Sequence, residues 1–258
     1  VVDGYEFIEQ TIKAGANVIV CEKMPDNIHS GVTYVEVDNS HTALGIIAAN
    51  FYDNPSRKLN LIGITGTNGK TTTVTLLHQL FSDLGYETGL LSTVVNKIGK
   101  EEIEATHTTP NAVELNQLLN EMVEAGCEYC FMEVSSHALV QGRTAGVEFK
   151  GAVFTNLTHD HLDYHKTFKD YLKAKKMLFD GLSSNSFAVI NVDDKNGPVM
   201  VQNSKAEILS LALKTGADYK ARVIENQFGG LQLNINGNDV WVKLIGDFNA
   251  YNILSVYA

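Results

Sequence analysis

Gly63-Ile64-Thr65-Gly66-Thr67-Asn68-Gly69-Lys70-Thr71-Thr72-Thr73 follows an apolar segment, Leu59 to Ile64, and precedes the run Val74 to Phe81. The first segment reads as a buried strand. The apolar spacing of the second suits a helix packed on one face. Strand, glycine loop, Lys-Thr and helix are the parts of a phosphate cradle. Gly66 and Gly69 allow backbone N–H groups to turn inward on an anion. Thr67 and Asn68 carry the amides between them, and the positive end of the following helix adds to the attraction. Lys70 can neutralise outer phosphates, and the Thr71 hydroxyl can hold Mg²⁺, with Thr72 beside it in the first helical turn. One position departs from the standard Walker A spacing: Ile64 stands where a glycine is expected, and the nearest glycine is Gly63. An ordinary glycine-rich turn would explain the glycines but not the adjoining Lys-Thr.

The chain around this motif has 258 residues, 44% of them hydrophobic, enough for one large or two modest domains with a real core. A net charge of −10 excludes a nonspecific nucleic-acid binder, whose footprint is basic. No apolar run approaches a membrane span, so no membrane partner is expected. No signal peptide is visible either. The first residue is Val1 rather than Met, from which an incomplete or processed N-terminus is expected. Three cysteines, Cys21, Cys127 and Cys130, fit a reducing, cytoplasmic compartment. Cys127 and Cys130 form a C-x-x-C pair with no second ligand pair at matching spacing, so both read as structural rather than as zinc or redox groups.

Residues 1–57 read as a small α/β unit. Val18–Cys21 and Val32–Val37 suit strands, and Asp38-Asn39-Ser40 opens a helix over His41–Tyr52. Asp53-Asn54-Pro55-Ser56 is a breaker cluster and marks the boundary to a second domain, residues 58–258. There, strands near Gly89–Leu91, Tyr129–Val134, Gly151–Thr155 and Phe187–Asn191 alternate with helical patterns such as Asn111–Gly126. This predicts an α/β fold with a phosphate-loop-type, largely parallel sheet flanked by helices. Past Asp193, shorter strands at Ala221–Ile224, Leu231–Ile235 and Val240–Leu244 predict a small antiparallel subdomain.

Three further stretches carry chemistry. Glu133 closes the segment Phe131-Met132-Glu133, and a carboxylate at the carboxyl end of a buried strand beside a phosphate loop suits a metal ligand. His159-Asp160-His161-Leu162-Asp163-Tyr164-His165 places three of the chain's eight histidines at another strand end. Its residue types permit zinc, whereas a phosphate-loop enzyme wants Mg²⁺ with mainly oxygen ligands. Tyr171 to Phe179 contains Lys173, Lys175 and Lys176. Its spacing alone reads as a helix with a solvated basic face.

The strings GITGTNGKTTT, TTP (Thr108 to Pro110), MEVSSHAL, FTNLTHDHLDYH, YLKAKKMLF and GDFNAYN (Gly246 to Asn252) stand in the order seen in Mur ligases. Nearly the whole chain resembles that family, and it is most similar to the UDP-N-acetylmuramoyl-tripeptide synthetase type. Even Asp3 to Ile8 resembles a family segment, and the Gly63/Ile64 spacing is normal there. The resemblance implies an ATP-dependent, ADP-forming amide ligase of peptidoglycan synthesis. Such an enzyme adds meso-diaminopimelate or lysine to a UDP-MurNAc-dipeptide through an acyl phosphate. It also implies roles: Gly66 to Thr72 on the ATP phosphates, Asn249 and Asn252 near the base, and Thr108, Thr109, Ser135 and Arg143 on the UDP substrate. Lys70, His161 and Lys175 would be catalytic. Thr71 and Glu133 would hold one Mg²⁺ and His161 a second, helped by Lys175 as a CO₂-derived carbamate (N6-carboxylysine).

Against the family pattern, residues 1–57 resemble only part of the UDP-binding domain. The chain also stops after the Asn-rich motif, so a fragment unable to complete ligation alone is expected. Two other readings stand beside this one. A folylpolyglutamate synthase shares the GTNGKT-type loop, and a non-catalytic nucleotide-binding module would share the fold. MEVSSHAL and DHLDYH favour the Mur reading over the first. The intact set Lys70, Glu133, His161 and Lys175 favours it over the second.

Overall fold

The computed structural model describes residues 4–158 and 162–258. Near the N-terminus, α1 (Ile8–Lys13), β1 (Val18–Cys21), β2 (Thr33–Glu36) and α2 (Ser40–Phe51) form a small unit whose two strands pair in parallel. Asn39 starts α2 as its cap, its side chain accepting from the Thr42 N–H. Beyond a 3₁₀ turn at Pro55–Lys58 come β3 (Asn60–Thr65), α3 (Lys70–Asp83), β4 (Thr88–Leu91), β5 (Val95–Ile98), β6 (Glu101–Glu104), α4 (Ala112–Glu124) and β7 (Tyr129–Glu133). Then follow α5 (Ser136–Val140), β8 (Gly151–Phe154), α6 (Leu162–His165), α7 (Phe168–Asp180), β9 (Phe187–Asn191), α8 (Gly197–Met200) and β10 (Glu207–Ala212). The described chain closes with β11 (Tyr219–Gln227), β12 (Gly230–Ile235), β13 (Asn238–Val242) and α9 (Asp247–Tyr257).

The eleven strands β3 to β13 form one sheet in the order β13-β12-β11-β10-β9-β8-β3-β7-β4-β5-β6. Every pairing from β11 to β4 is parallel, and an antiparallel ribbon extends each end. The predicted antiparallel strands therefore prolong the main sheet. Parallel β10, not anticipated from the sequence, joins them to it. Its last residues pair with the first of β11, Leu211 with Tyr219, so a short connection suffices because the chain hardly turns back.

Side chains alternate across this sheet. Leu61, Cys130, Met132, Ala152, Phe154, Ala188 and Ile190 join a core with α4 and α7 on one face. Ile62, Ile64, Phe131, Val153 and Val189 join a core with α3 and α9 on the other. Strands buried on both faces read as continuous apolar runs, which is why they were legible. Gly63 faces the first core. A Cβ there would lie 2.9 Å from a Phe149 ring carbon, so this glycine admits Phe149 and is not part of the phosphate turn. That accounts for its displacement from the Walker spacing.

Helix α2 sets the N-terminal unit on this body. A Cβ on its Gly45 would lie 2.6 Å from the Ala145 carbonyl oxygen, so the helix meets the turn after α5 at backbone distance. All three cysteines are buried free thiols, and burial pushes Cys127 and Cys130 up, away from the reactive thiolate. No group of three or more metal-ligating side chains occurs among the described residues.

Asp193, just after β9, ties α9 to the sheet. Its carboxylate accepts from the N–H groups of Leu213 (2.7 Å), Lys214 (2.9 Å) and Thr215 (2.9 Å), and from the hydroxyls of Thr215 (2.8 Å) and Tyr251 (2.9 Å). Burial pushes this carboxyl up, but the donors, led by the Lys214 N–H, outweigh it and hold the pKa at about 2, below the ordinary 3.8. The group's contribution to stability is therefore complete above about pH 4 and is lost as pH falls through about 2. Discounted for its partial exposure, that contribution is on the order of 1 kcal/mol. Asp193→Asn should lower the urea midpoint at pH 7 and flatten its fall between about pH 4 and 2. An unchanged pH profile would refute this account.

Candidate active site

β3 lies where the connections reverse: the chain reaches β4 by one direction across the sheet and β8 by the other. The crevice at the carboxyl ends of β8, β3 and β7 is the expected ligand position in such a sheet. Gly66 (φ +151°) and Gly69 (φ +88°) turn the loop there. A Cβ at Gly66 would sit 1.9 Å from Thr155 Oγ1, and one at Gly69 2.3 Å from Asn252 Oδ1. Conformation and space both demand glycine at the two positions. Gly69 also precedes α3, for which no side-chain cap exists among the described residues, so its first amides face the crevice.

The loop is braced from β8. The Asn68 N–H donates to Asn156 Oδ1 (3.0 Å), and the Asn68 carbonyl accepts from Asn156 Nδ2 (3.1 Å) and Thr155 Oγ1 (2.7 Å). Thr67 Oγ1 accepts from the Thr158 N–H (3.0 Å) and lies 3.2 Å from the Tyr171 hydroxyl. Lys70 Nζ donates to the Gly66 (3.0 Å) and Thr67 (2.9 Å) carbonyls. Thr72 stands in the first turn of α3, half-buried. From α9, Asn252 donates to Asn249 Oδ1 (2.9 Å), and Asn249 donates to the Ile245 carbonyl (2.9 Å).

Glu133, 1% exposed, ends β7 beside the loop. Its carboxylate accepts from the Thr71 hydroxyl (2.8 Å), and from the N–H (2.9 Å) and hydroxyl (3.2 Å) of Thr93. Thr108 is next in this chain, its hydroxyl 3.1 Å from Thr93 Oγ1. Thr109 Oγ1 donates to the Glu133 carbonyl (2.8 Å) and accepts from the Ser135 N–H (3.1 Å), while Arg143 Nη1 donates to the Thr109 carbonyl (2.8 Å). Arg143 Nε donates to Gln141 Oε1 (2.9 Å). The structure thus brings Thr108, Thr109, Ser135 and Arg143 to one corner, joined through Glu133 to Thr71.

The solvated basic face read on the α7 segment is corrected. Tyr171, Ala174, Lys175, Leu178 and Phe179 form its buried stripe, and Lys175 is only 2% exposed. Lys175 Nζ donates to the Gly66 carbonyl (2.8 Å) and stands 4.7 Å from the Tyr171 ring centroid. Lys173 is exposed, and Lys176 pairs with Asp180. The signal was present: positions 171, 174 and 178 are apolar and put 175 on their own helix face. His159, Asp160 and His161 lie outside the described residues. Thr93, Thr155, Asn156, Gln141 and Tyr171 were not anticipated at the site, because their roles come from tertiary hydrogen bonds and not from spacing.

A glycine loop at the switch point of a parallel sheet, facing a buried carboxylate, defines a phosphate-binding domain of the nucleotide-dependent enzymes. The chain belongs to the Mur ligase family: residues 64–258 match the Mur ligase middle domain. It is similar to the UDP-N-acetylmuramoyl-L-alanyl-D-glutamate–2,6-diaminopimelate ligases of Cytophaga hutchinsonii, 56% identical over 257 residues, and Phocaeicola vulgatus, 51% over 255. Each alignment takes in 99% of this chain and 53% of the relative. A solved structure of a ligase of the same description superposes with a TM-score of 0.85 at 28% identity, covering 98% of this chain and 53% of that one. The chain spans about half the length of the relatives it matches.

Proposed function

We propose that the chain forms the nucleotide-binding centre of an ATP-dependent ligase that adds 2,6-diaminopimelate to UDP-MurNAc-L-Ala-D-Glu, releasing ADP, in the cytoplasm. Residues 58–258 would be the ATP-binding domain, and residues 1–57 part of the UDP-substrate domain. The carrying observation is the continuous path from the phosphate loop through Thr71 and Glu133 to Thr109, Ser135 and Arg143. Such a path joins the residues proposed for the nucleotide to those proposed for the UDP substrate, which supports a reaction between a substrate carboxylate and a γ-phosphate.

In this reading the Gly69, Lys70 and Thr71 amides at the start of α3, with the Lys70 amine and the Thr71 and Thr72 hydroxyls, hold the phosphates. Gly66, Thr67 and Asn68 shape the loop, with the Thr67 and Asn68 N–H groups held by Asn156, and Asn249 and Asn252 border the base. Thr108, Thr109, Ser135 and Arg143 hold the UDP-linked dipeptide. Its terminal carboxylate attacks the γ-phosphorus to give an acyl phosphate and ADP. The amine of diaminopimelate then displaces phosphate. Positioning and charge neutralisation supply most of the catalysis at the first step.

The oxygen donors gathered on the buried Glu133 suit a hard cation. When bound, Mg²⁺ would neutralise charge on the transferring phosphoryl group, with Thr71 and Glu133 as its ligands and His161 assigned to a second ion. Lys175 suits a carbamate. A carbamate nitrogen keeps one hydrogen, so the bond to the Gly66 carbonyl survives modification.

The test supplies a ligase of the relatives' full length carrying this sequence with ATP, Mg²⁺, the UDP-dipeptide and either diaminopimelate or lysine. Tripeptide and ADP should form with diaminopimelate. Product with lysine alone would reassign the amino acid, and product from a folate with glutamate would sink the reading. Absence of any ADP would favour a non-catalytic module.

A further inference from the structure

His165 closes α6 and takes no part in the chemistry just described, yet it is buried at 6% exposure in the middle of the site's framework. Its Nε2 lies 2.8 Å from Ser136 Oγ. Such a pair suggests a nucleophile and base, but Ser136 is 1% exposed and opens α5 behind Ser135, out of a substrate's reach. The ring of His165 packs against those of Tyr171 (5.2 Å between centroids), Tyr164 (4.9 Å) and His137 (5.5 Å).

Each neighbour leads to one half of the site. Ser136 and His137 continue from Ser135, and Gln141 donates to the Tyr164 hydroxyl (3.2 Å) while holding Arg143. Tyr171 touches Thr67 of the phosphate loop and lies under the Lys175 amine. The connection to α7 is tight as well. Lys166 takes a left-handed conformation (φ +59°), and the Thr167 N–H returns to the His165 carbonyl (2.6 Å). A non-glycine residue held there marks a corner fixed by its surroundings.

We infer that His165 is a positioning residue for the ligation: it fixes the turn that carries Ser135 and Arg143 relative to the helix that carries Lys175. This rests on the function proposed above. If the acceptor carboxylate and the phosphates are held on opposite sides of this contact, a shift of about 1 Å between them costs on the order of a hundredfold in rate with little effect on binding either one.

Ser136→Ala, His165→Gln and His165→Phe, each in a ligase of full length, test this by steady-state kinetics, affinity for a non-hydrolysable ATP analogue and thermal unfolding. His165→Phe should lower kcat about tenfold to a hundredfold, leaving the KM for ATP and the analogue affinity within about twofold. His165→Gln, whose amide can reach Ser136, should recover part of the loss. Combining His165→Phe with Ser136→Ala should cost no more than the larger single change, because both remove one contact. Equal kcat in all variants overturns the inference, as does additivity, or a parallel loss of analogue affinity and melting temperature that marks a general packing role. If His165→Phe does not fold, Ser136→Ala decides alone: a severalfold lower kcat at unchanged ATP KM supports the inference, and wild-type kcat refutes it. A wild-type enzyme that makes no tripeptide overturns the functional reading and this inference together. Tripeptide from the wild type and all variants alike overturns this inference alone.

Discussion

Lys70→Ala should reduce ATP turnover by about a thousandfold or more and leave the fold intact. The comparison is with single groups that meet developing phosphoryl or oxyanion charge, whose loss costs about 10²–10⁵ in rate. Lys70 stands at the first turn of α3, its Nζ resting on the Gly66 and Thr67 carbonyls. Those carbonyls are weak partners for a cation compared with a phosphate, so an incoming nucleotide can draw the amine off them. The side chain contributes to neither hydrophobic core, and stability should change by no more than about 0.5 kcal/mol. Phosphate release and thermal unfolding measure the two halves of this expectation. A folded variant with wild-type turnover would show that charge neutralisation at the loop lies elsewhere.

Lys175→Ala should abolish ligation, by at least about a hundredfold, for a different reason: it removes the oxygen ligand that CO₂ is proposed to create. A neutral amine that captures CO₂ loses one proton and becomes an anionic oxygen donor, which a hard cation prefers to an ammonium. Added bicarbonate should not restore the variant, since no amine remains to react. Acetate or another short carboxylic acid should restore part of the activity by occupying the vacated space. With ¹³C-bicarbonate the wild type should show a carbamate resonance that the variant lacks. High-resolution density with an unmodified Lys175 under ample CO₂ would defeat the prediction. Removing a lysine that is 2% exposed also leaves a cavity among Tyr171, Leu178 and Phe179, so the variant's melting temperature has to be measured alongside.

Much of the architecture was legible because it follows local rules. β3, the glycine turn and α3 are a buried apolar run, two residues with positive φ and a one-sided helix. β7, β8 and β9 announce themselves as apolar runs because both faces are covered. β10 was not legible. Glu207 and Ile208 are exposed while Leu211 and Ala212 are buried, so neither alternation nor an unbroken apolar run appears. The hairpin of β5 and β6 also escaped, its acidic outer strand resembling a loop. At the site, glycines and the Lys-Thr pair could be named from chemistry. Thr93 could not, since nothing in its neighbourhood marks it, and Asn156, though inside the FTNLTHDHLDYH stretch, could be given no role there, since only the fold brings the two to Glu133 and Asn68. Lys175 falls between these cases. Helical periodicity places it inside, but the lysines at 173 and 176 obscure the pattern.

A sheet of eleven strands ends in two open rows of backbone donors and acceptors, each a template for another chain. On the β6 side the outermost strand is Glu101-Glu102-Ile103-Glu104. Two copies meeting along this edge would set carboxylates against carboxylates, and desolvating the row would cost more than the new ladder returns. The same acidic stretch that hid the strand from a reading of the sequence therefore works as a repellent fringe. At this edge it opposes the sideways growth of a long, strongly apolar sheet.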